Sequence, residues 1–207
     1  MSESRLLVLA TGNAGKAREL EALLGGLQLR VTLLRDVAGP TEIPEPFATF
    51  RENARRKAEV AARIAGEWAL GEDSGLSVEA LQGRPGVYSA RFAGAGQPDA
   101  ERVALLLRML EGVPEPHRTA RFHCALCLAA PHGVLGEWEG LCEGTITSEP
   151  RGQGGFGYDP IFVPRGQART SAELAPDGKN AISHRGLAMR RFVAEVPRLL
   201  ETREQVR

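Results

Sequence analysis

The chain has 207 residues, 43% of them hydrophobic, which suits one α/β domain or two closely joined lobes. Lys plus Arg and Asp plus Glu number 26 each, so the net charge is zero. That argues against a broad nucleic-acid or membrane-surface footprint, which leaves a basic excess. No apolar run has the length of a signal peptide or a membrane span, so a cytoplasmic protein is expected, with no nucleic-acid or membrane partner.

A short apolar run at 6–10 predicts a buried strand. It ends in Thr11, Gly12, Asn13, Ala14, Gly15 and Lys16. A strand, a glycine-bearing turn and a helix start place backbone N–H groups and a lysine around an anion. The turn is not a Walker A loop, because Ala17 lacks the magnesium-binding hydroxyl. On its own it also reads as a plain helix cap. The helix that follows carries Leu20, Leu23 and Leu24 on one face and stops at Gly25 and Gly26. A second strand is predicted over 29–34, then a proline-rich acidic loop that includes Glu45. Thr49 to Glu52 has the T-x-x-E form of a capping box and opens a helix to about 65. Its arginines read as a solvated face, whereas Lys57 is a candidate for an inward position.

Residues 68–70 predict a strand that runs into Glu72, Asp73, Ser74 and Gly75, with another strand over 76–81. Two adjacent carboxylates repel each other unless a cation or basic groups offset them. Their hard oxygens suit Mg²⁺, which takes one or two carboxylates plus substrate phosphates. Glu45 offers a further ligand, and Ser74 a donor to phosphate. A polar turn ending a strand is the plainer alternative. After a turn at 83–86, a helix is predicted over 98–110, and a long hairpin over 118–130 and 134–146. Cys124, Cys127 and Cys142 give no disulfide framework. The first two lie three apart on a predicted strand and so on opposite faces, which predicts buried free thiols.

The glycine-rich segment 154–160, GGFGYDP, places Phe156 between two glycines, where a flat ligand can approach the ring. Tyr158 adds a second ring and Asp159 an acceptor before a proline. The arrangement suits a nucleobase, or else a turn whose Phe plugs the core. A strand is predicted over 161–163, and a last helix from near Ser183, with 201–207 frayed. Lys179, His184 and Arg185 cluster at that helix start, where cations oppose the helix dipole unless a ligand or acidic partner is present. Strands and helices alternate throughout, which predicts an α/β fold with a mixed sheet.

At these residues the chain resembles the RdgB-type inosine/xanthosine triphosphate pyrophosphatase family. The matching segments are TGNAGK (11–16), TFRENARRKA (49–58), EDSGL (72–76), GVYSARFAG (86–94), GGFGYDPIF (154–162) and SHRG (183–186), in the family's order. The resemblance implies an elongated α/β fold with a long mixed sheet and a cleft between two lobes, as a single domain without a separable linker. It implies a Mg²⁺-dependent homodimer that cleaves ITP, dITP and XTP to the monophosphate and pyrophosphate. By the same resemblance Asp73 is the catalytic base and a metal ligand beside Glu45, and residues 11–16 and Lys57 hold phosphate. Phe156, Gly157, Tyr158, Asp159, Lys179, His184 and Arg185 form the base pocket. Glu72 stands where bacterial members often have a second aspartate; it keeps the charge and reaches one methylene further. Two other readings stay open: a pyrophosphatase for modified pyrimidines, and a sensing module that binds nucleotide without cleaving it.

Overall fold

The apolar run at the start forms β1 (Arg5–Ala10) in the computed structural model, which describes residues 4–25 and 27–204. The other strands are β2 (Leu29–Leu33), β3 (Trp68–Val78), β4 (Thr119–Ala130), β5 (Gly133–Ile146) and β6 (Phe162–Pro164). They form one six-stranded sheet in the order β2-β1-β3-β4-β5-β6. β1 is parallel to both β2 and β3, and β6 is antiparallel to β5, so the sheet is mixed, as the alternation of elements predicts. The helices are α1 (Ala14–Leu24), α2 (Leu34–Ala38), α3 (Phe50–Ala65), α4 (Asp99–Met109), α5 (Pro176–Ile182) and α6 (His184–Glu204).

Several expectations are corrected here. The strands predicted at 68–70 and 76–81 are one strand, β3, of 11 residues, followed by a 3₁₀ turn at Glu79–Leu81. Parallel pairing carries β1 alongside it through Ala10 and Gly71, and Gly75 does not end it. Glu72 and Asp73 therefore lie within a strand and not in a turn after one. Leu34 leaves the second strand to open α2, and α5 is a helix the sequence reading did not foresee. The last helix continues to Glu204, past the point where fraying was expected; residues 205–207 and Gly26 lie outside the described residues.

The chain divides into two compact units. The first comprises the residues up to Asp73, Ala125–Glu139 and those from Leu187 onward. Its core is built largely of small residues. Ala54, Ala58, Ala61 and Ala62 of α3 are fully buried in one cluster with Val8, Ala69 and Cys127. Thr49 caps α3 by accepting from the Glu52 N–H at 3.2 Å, and its hydroxyl donates to the Glu52 carboxylate at 2.6 Å. Gly66 closes the helix in the left-handed conformation (φ 68°). Gly71 of β3 faces α3 so closely that a Cβ there would meet the Ala54 carbonyl and the Ala58 N–H. Both obstacles are backbone, so Gly71→Ala forces the helix off the strand. A stability loss of about 1–3 kcal/mol is expected, read by urea unfolding; a neutral result would mean that α3 slides without penalty.

The second unit comprises Ser74–Cys124 and Gly140–Gly186. Leu76, Leu106, Leu110, Ile161 and Phe162 are buried together, and Phe122 meets Phe162 edge-on with ring centroids 4.7 Å apart. The three cysteines are free and buried, as expected. Burial pushes the Cys127 thiol up to about 12 and that of Cys142 up to about 11, so both are inert at neutral pH.

Candidate active site

The predicted site residues fall into two groups, one in each unit. In the first unit, close packing of α3 on β3 sets the geometry. Asn53 and Lys57 lie one turn apart on α3, on the same side as its buried alanines. Strand alternation turns Asp73 toward the face that Gly71 leaves open to this helix. The Lys57 ammonium donates to Asp73 Oδ1 at 3.2 Å and to Glu45 Oε1 at 2.6 Å. The Asn53 amide donates to Asp73 Oδ2 at 3.2 Å and to the Phe47 carbonyl at 3.1 Å, while its oxygen accepts from the Phe47 N–H at 3.0 Å. Asn53 thus ties the acidic loop to Asp73. The sequence reading missed it; the available signal was a polar residue four before Lys57 on an alanine-rich face.

Glu72 points to the other face of β3 and pairs with Lys16 at 3.6 Å. The mutual repulsion expected of adjacent carboxylates is relieved in this way: alternation separates them, and each has its own lysine. Burial raises the Asp73 carboxyl above its ordinary range, with Lys57 and Lys16 opposing that and Glu45 adding to it. For Lys57, burial alone would lower the pKa, but Asp73 and Glu45 outweigh it and the net direction is up. Among the described residues no group of three or more His, Cys, Asp or Glu is placed to hold a metal. Glu45 and Asp73 converge on an ammonium, and Glu72 stands apart from them on Lys16. The donor chemistry nevertheless fits Mg²⁺: the oxygens are hard, and two carboxylates already share one cation.

The phosphate turn is a capped helix start. Asn13 Oδ1 accepts from the Lys16 N–H at 3.0 Å, and Thr11 Oγ1 accepts from the Asn13 N–H at 3.1 Å. Thr11 and Lys16 are half-buried, Gly12, Asn13 and Ala14 exposed, and Gly15 buried. The cap reading and the anion reading are therefore compatible, since a cap aims the helix N-terminus.

In the second unit the glycine-rich loop is held at several points. Gly155 and Gly157 have positive φ, 72° and 63°, which lets the chain reverse tightly around Phe156. Asp159 Oδ2 accepts from the Phe156 N–H at 2.8 Å and from the Lys179 ammonium at 2.6 Å. Lys179 lies 5.0 Å and the Arg185 guanidinium 5.5 Å from the Phe156 ring centroid. Arg185, 1% exposed, donates to Ser74 Oγ at 3.1 Å. These contacts answer the objection that cations oppose the helix dipole at the start of α6: an aromatic face and an aspartate offset them. Ser183 caps α6 by accepting from the Gly186 N–H at 3.1 Å.

Two expectations change in this group. Tyr158 is not a second ring open to a flat ligand. It is 3% exposed within the hydrophobic cluster, and its hydroxyl donates to the Ser89 carbonyl at 3.0 Å. Only Phe156 of the two rings is partly open. His184 stacks on Phe122 with centroids 4.7 Å apart and planes 9° from parallel, a partner the sequence did not suggest. The space enclosed by Phe122, Cys142, Asp159, Lys179 and His184 is about 10 Å³, too small for a base. A separate cavity of about 380 Å³ is lined by residues such as Glu115, Thr147, Arg151 and Gln167 and holds none of the predicted site residues.

Comparison with known proteins yields a consistent set of relatives. The sequence model of the Ham1 family matches residues 7–195. A dITP/XTP pyrophosphatase of Desulforamulus reducens is 50% identical over 193 residues, covering 93% of this chain and 96% of its own. A dITP/XTP pyrophosphatase of Geobacillus kaustophilus is 50% identical over 183 residues, covering 88% and 90%. Among solved structures, a HAM1 protein from Coxiella burnetii superposes with a TM-score of 0.84 at 42% identity, covering 94% of this chain and 99% of that one.

Proposed function

The chain belongs to the Ham1 family, and on that premise we propose that it hydrolyses ITP, dITP and XTP to the monophosphate and pyrophosphate, clearing them from the nucleotide pool. The observation that carries the reading is Asp73: a buried carboxylate with a raised pKa, oriented by an asparagine and a lysine. Perturbed groups of this kind mark catalytic bases. A sensing module has no use for one.

In this proposal Asp73 takes the proton from the attacking water. Lys57, Lys16 and the capped turn from Thr11 to Lys16 hold the phosphates, with Ser74 as a further donor. Glu45 and Asp73 would hold Mg²⁺, which when bound would neutralise phosphate charge and orient the groups for in-line displacement, while Glu72, on the other face of β3, stays with Lys16. The base stacks on the open side of Phe156. Lys179, His184 and Arg185 present donors that a 6-keto oxygen accepts and the adenine amino group does not. Gly157, Tyr158 and Asp159 set the shape of the loop. In this proposal the enzyme is a cytoplasmic homodimer that does not engage nucleic acid. No helix among the described residues is long and apolar enough to cross a membrane.

The test is product analysis by ion-exchange chromatography after incubation with ITP, XTP, ATP, GTP or dUTP. Monophosphate and pyrophosphate from ITP and XTP are expected, with activity lost in EDTA and restored by Mg²⁺. Diphosphate with orthophosphate would place the cleavage elsewhere, and a preference for dUTP would favour the pyrimidine alternative.

Phe156→Ala should weaken every purine nucleotide by roughly 1–3 kcal/mol, because stacking does not depend on exocyclic groups. Calorimetry with ITP, GTP and ATP measures it. Unchanged affinities in a folded variant would make Phe156 a cover for Lys179 and Arg185 and nothing more.

A further inference from the structure

The segment GVYSARFAG and the start of α4 carry no role in the mechanism above, yet they grip the base loop. Gly157 donates its N–H to Asp99 Oδ2 at 2.5 Å. Asp99 Oδ1 is ion-paired with Arg102, one turn along α4. The same guanidinium donates to the Ala90 carbonyl at 3.0 Å and to the Gln97 carbonyl at 2.6 Å. A second strut runs beside the first. Tyr158 bonds to the Ser89 carbonyl, and Ser89 Oγ accepts from the Leu76 N–H at 2.8 Å and donates to the Gly86 carbonyl at 2.6 Å. Two consecutive loop residues after Phe156 are thus fastened to residues 86–102. Asp159 fastens Phe156 itself from within the loop.

We propose that Asp99, clamped by Arg102, is a positioning residue for base recognition: it fixes Gly157 in its left-handed conformation and so sets the plane of the Phe156 ring. This rests on the reading of Phe156 as the base platform. A ring between two glycines with positive φ has little intrinsic rigidity. A stacking surface contributes affinity only to the extent that it is already oriented. The bond from Gly157 is charge-assisted, and the Arg102 fork holds its acceptor from a second direction. Asp99 touches neither phosphate-binding nor metal-binding candidates, so its removal is expected to act on the base and spare the phosphates.

The experiment compares wild type, Asp99→Ala and Asp99→Asn as full-length chains. Calorimetry measures Kd for IMP, which carries the base, and for inorganic pyrophosphate, which does not. Amide hydrogen exchange at Gly157 reports the anchor without any ligand. Asp99→Ala should speed Gly157 exchange and raise the Kd for IMP about tenfold, with pyrophosphate affinity unchanged. Asp99→Asn, which keeps an acceptor, should recover most of both. Unchanged IMP affinity in folded Asp99→Ala overturns the inference, as does an equal loss for pyrophosphate. Should Asp99→Ala fail to fold, Arg102→Lys carries the same test, since a lysine cannot fork across Asp99 and two carbonyls. A wild type that neither binds IMP nor cleaves ITP overturns the proposed function together with the inference. Cleavage of ITP with an indifferent Asp99→Ala overturns the inference alone.

Discussion

Asp73→Asn is expected to lower kcat for ITP by about 10²–10⁴-fold, the usual loss when a general base is removed. The substitution is nearly isosteric. Its amide oxygen still accepts from Lys57 or Asn53, so the contacts that position α3 against β3 survive in large part. What disappears is the ability to accept a proton. Nucleotide affinity, measured by calorimetry in the presence of Mg²⁺, should change far less than turnover. Removal of a metal-binding candidate adds to the kinetic loss, so the variant is assayed across a range of Mg²⁺ concentrations. Turnover close to wild type at any of them would take Asp73 out of the mechanism. A collapse of affinity equal to the loss in kcat would make it a binding residue.

Lys57→Met carries the largest expected effect on stability. The lysine side chain is 9% exposed and that of Asp73 5%, so the charges that remain are poorly solvated. Breaking a buried pair by deleting one partner typically costs about 3–5 kcal/mol. Glu45 is more open and partly screened, which favours the lower end. For a chain of this size the loss lowers Tm by roughly 6–20 °C. The pH dependence has a definite sign. The folded-state pKa of Lys57 is raised, so its contribution is fully present below the ordinary lysine value of 10.5 and is lost only as pH rises through the higher folded value. The gap between wild type and variant should therefore close in strong alkali, and it should narrow toward acid as Asp73, no longer opposed by Lys57, takes up a proton. Calorimetric scans in EDTA measure it, and an unchanged Tm would mean that the two carboxylates are relieved by rearrangement.

Much of the architecture was legible because local chemistry and tertiary structure agree. The capping box at Thr49, the leucine face of α1 and the short link of the predicted hairpin each act within a few residues. The structure places α3, α1 and the β4–β5 strands where those signals predict. Where long-range pairing decides, the reading went astray. Glu72 and Asp73 look like turn residues, but β1 pairs alongside Gly71 and the strand runs on through them. Tyr158 beside a partly open phenylalanine in a glycine-rich loop looks exposed as well. Its burial depends on a carbonyl at Ser89, 69 residues away, which no window of sequence contains.

For the candidate site the division is the same. Residue types and motif order were sufficient to nominate Asp73, Lys57, the phosphate turn and the Phe156 loop, because carboxylates, lysines and glycine-flanked rings carry their chemistry wherever the fold puts them. Their protonation, partners and orientation came only with the tertiary structure. Asn53 became visible as the tie to Asp73, and Asp99 as the anchor of Gly157, once helix and strand or helix and loop were packed together. The physical reason lies in range. Capping, turn formation and hydrophobic periodicity act over a few residues and leave a mark in the sequence. Burial shifts, charge pairing and hydrogen bonds across dozens of residues depend on distances of a few ångströms, which only the packed chain sets.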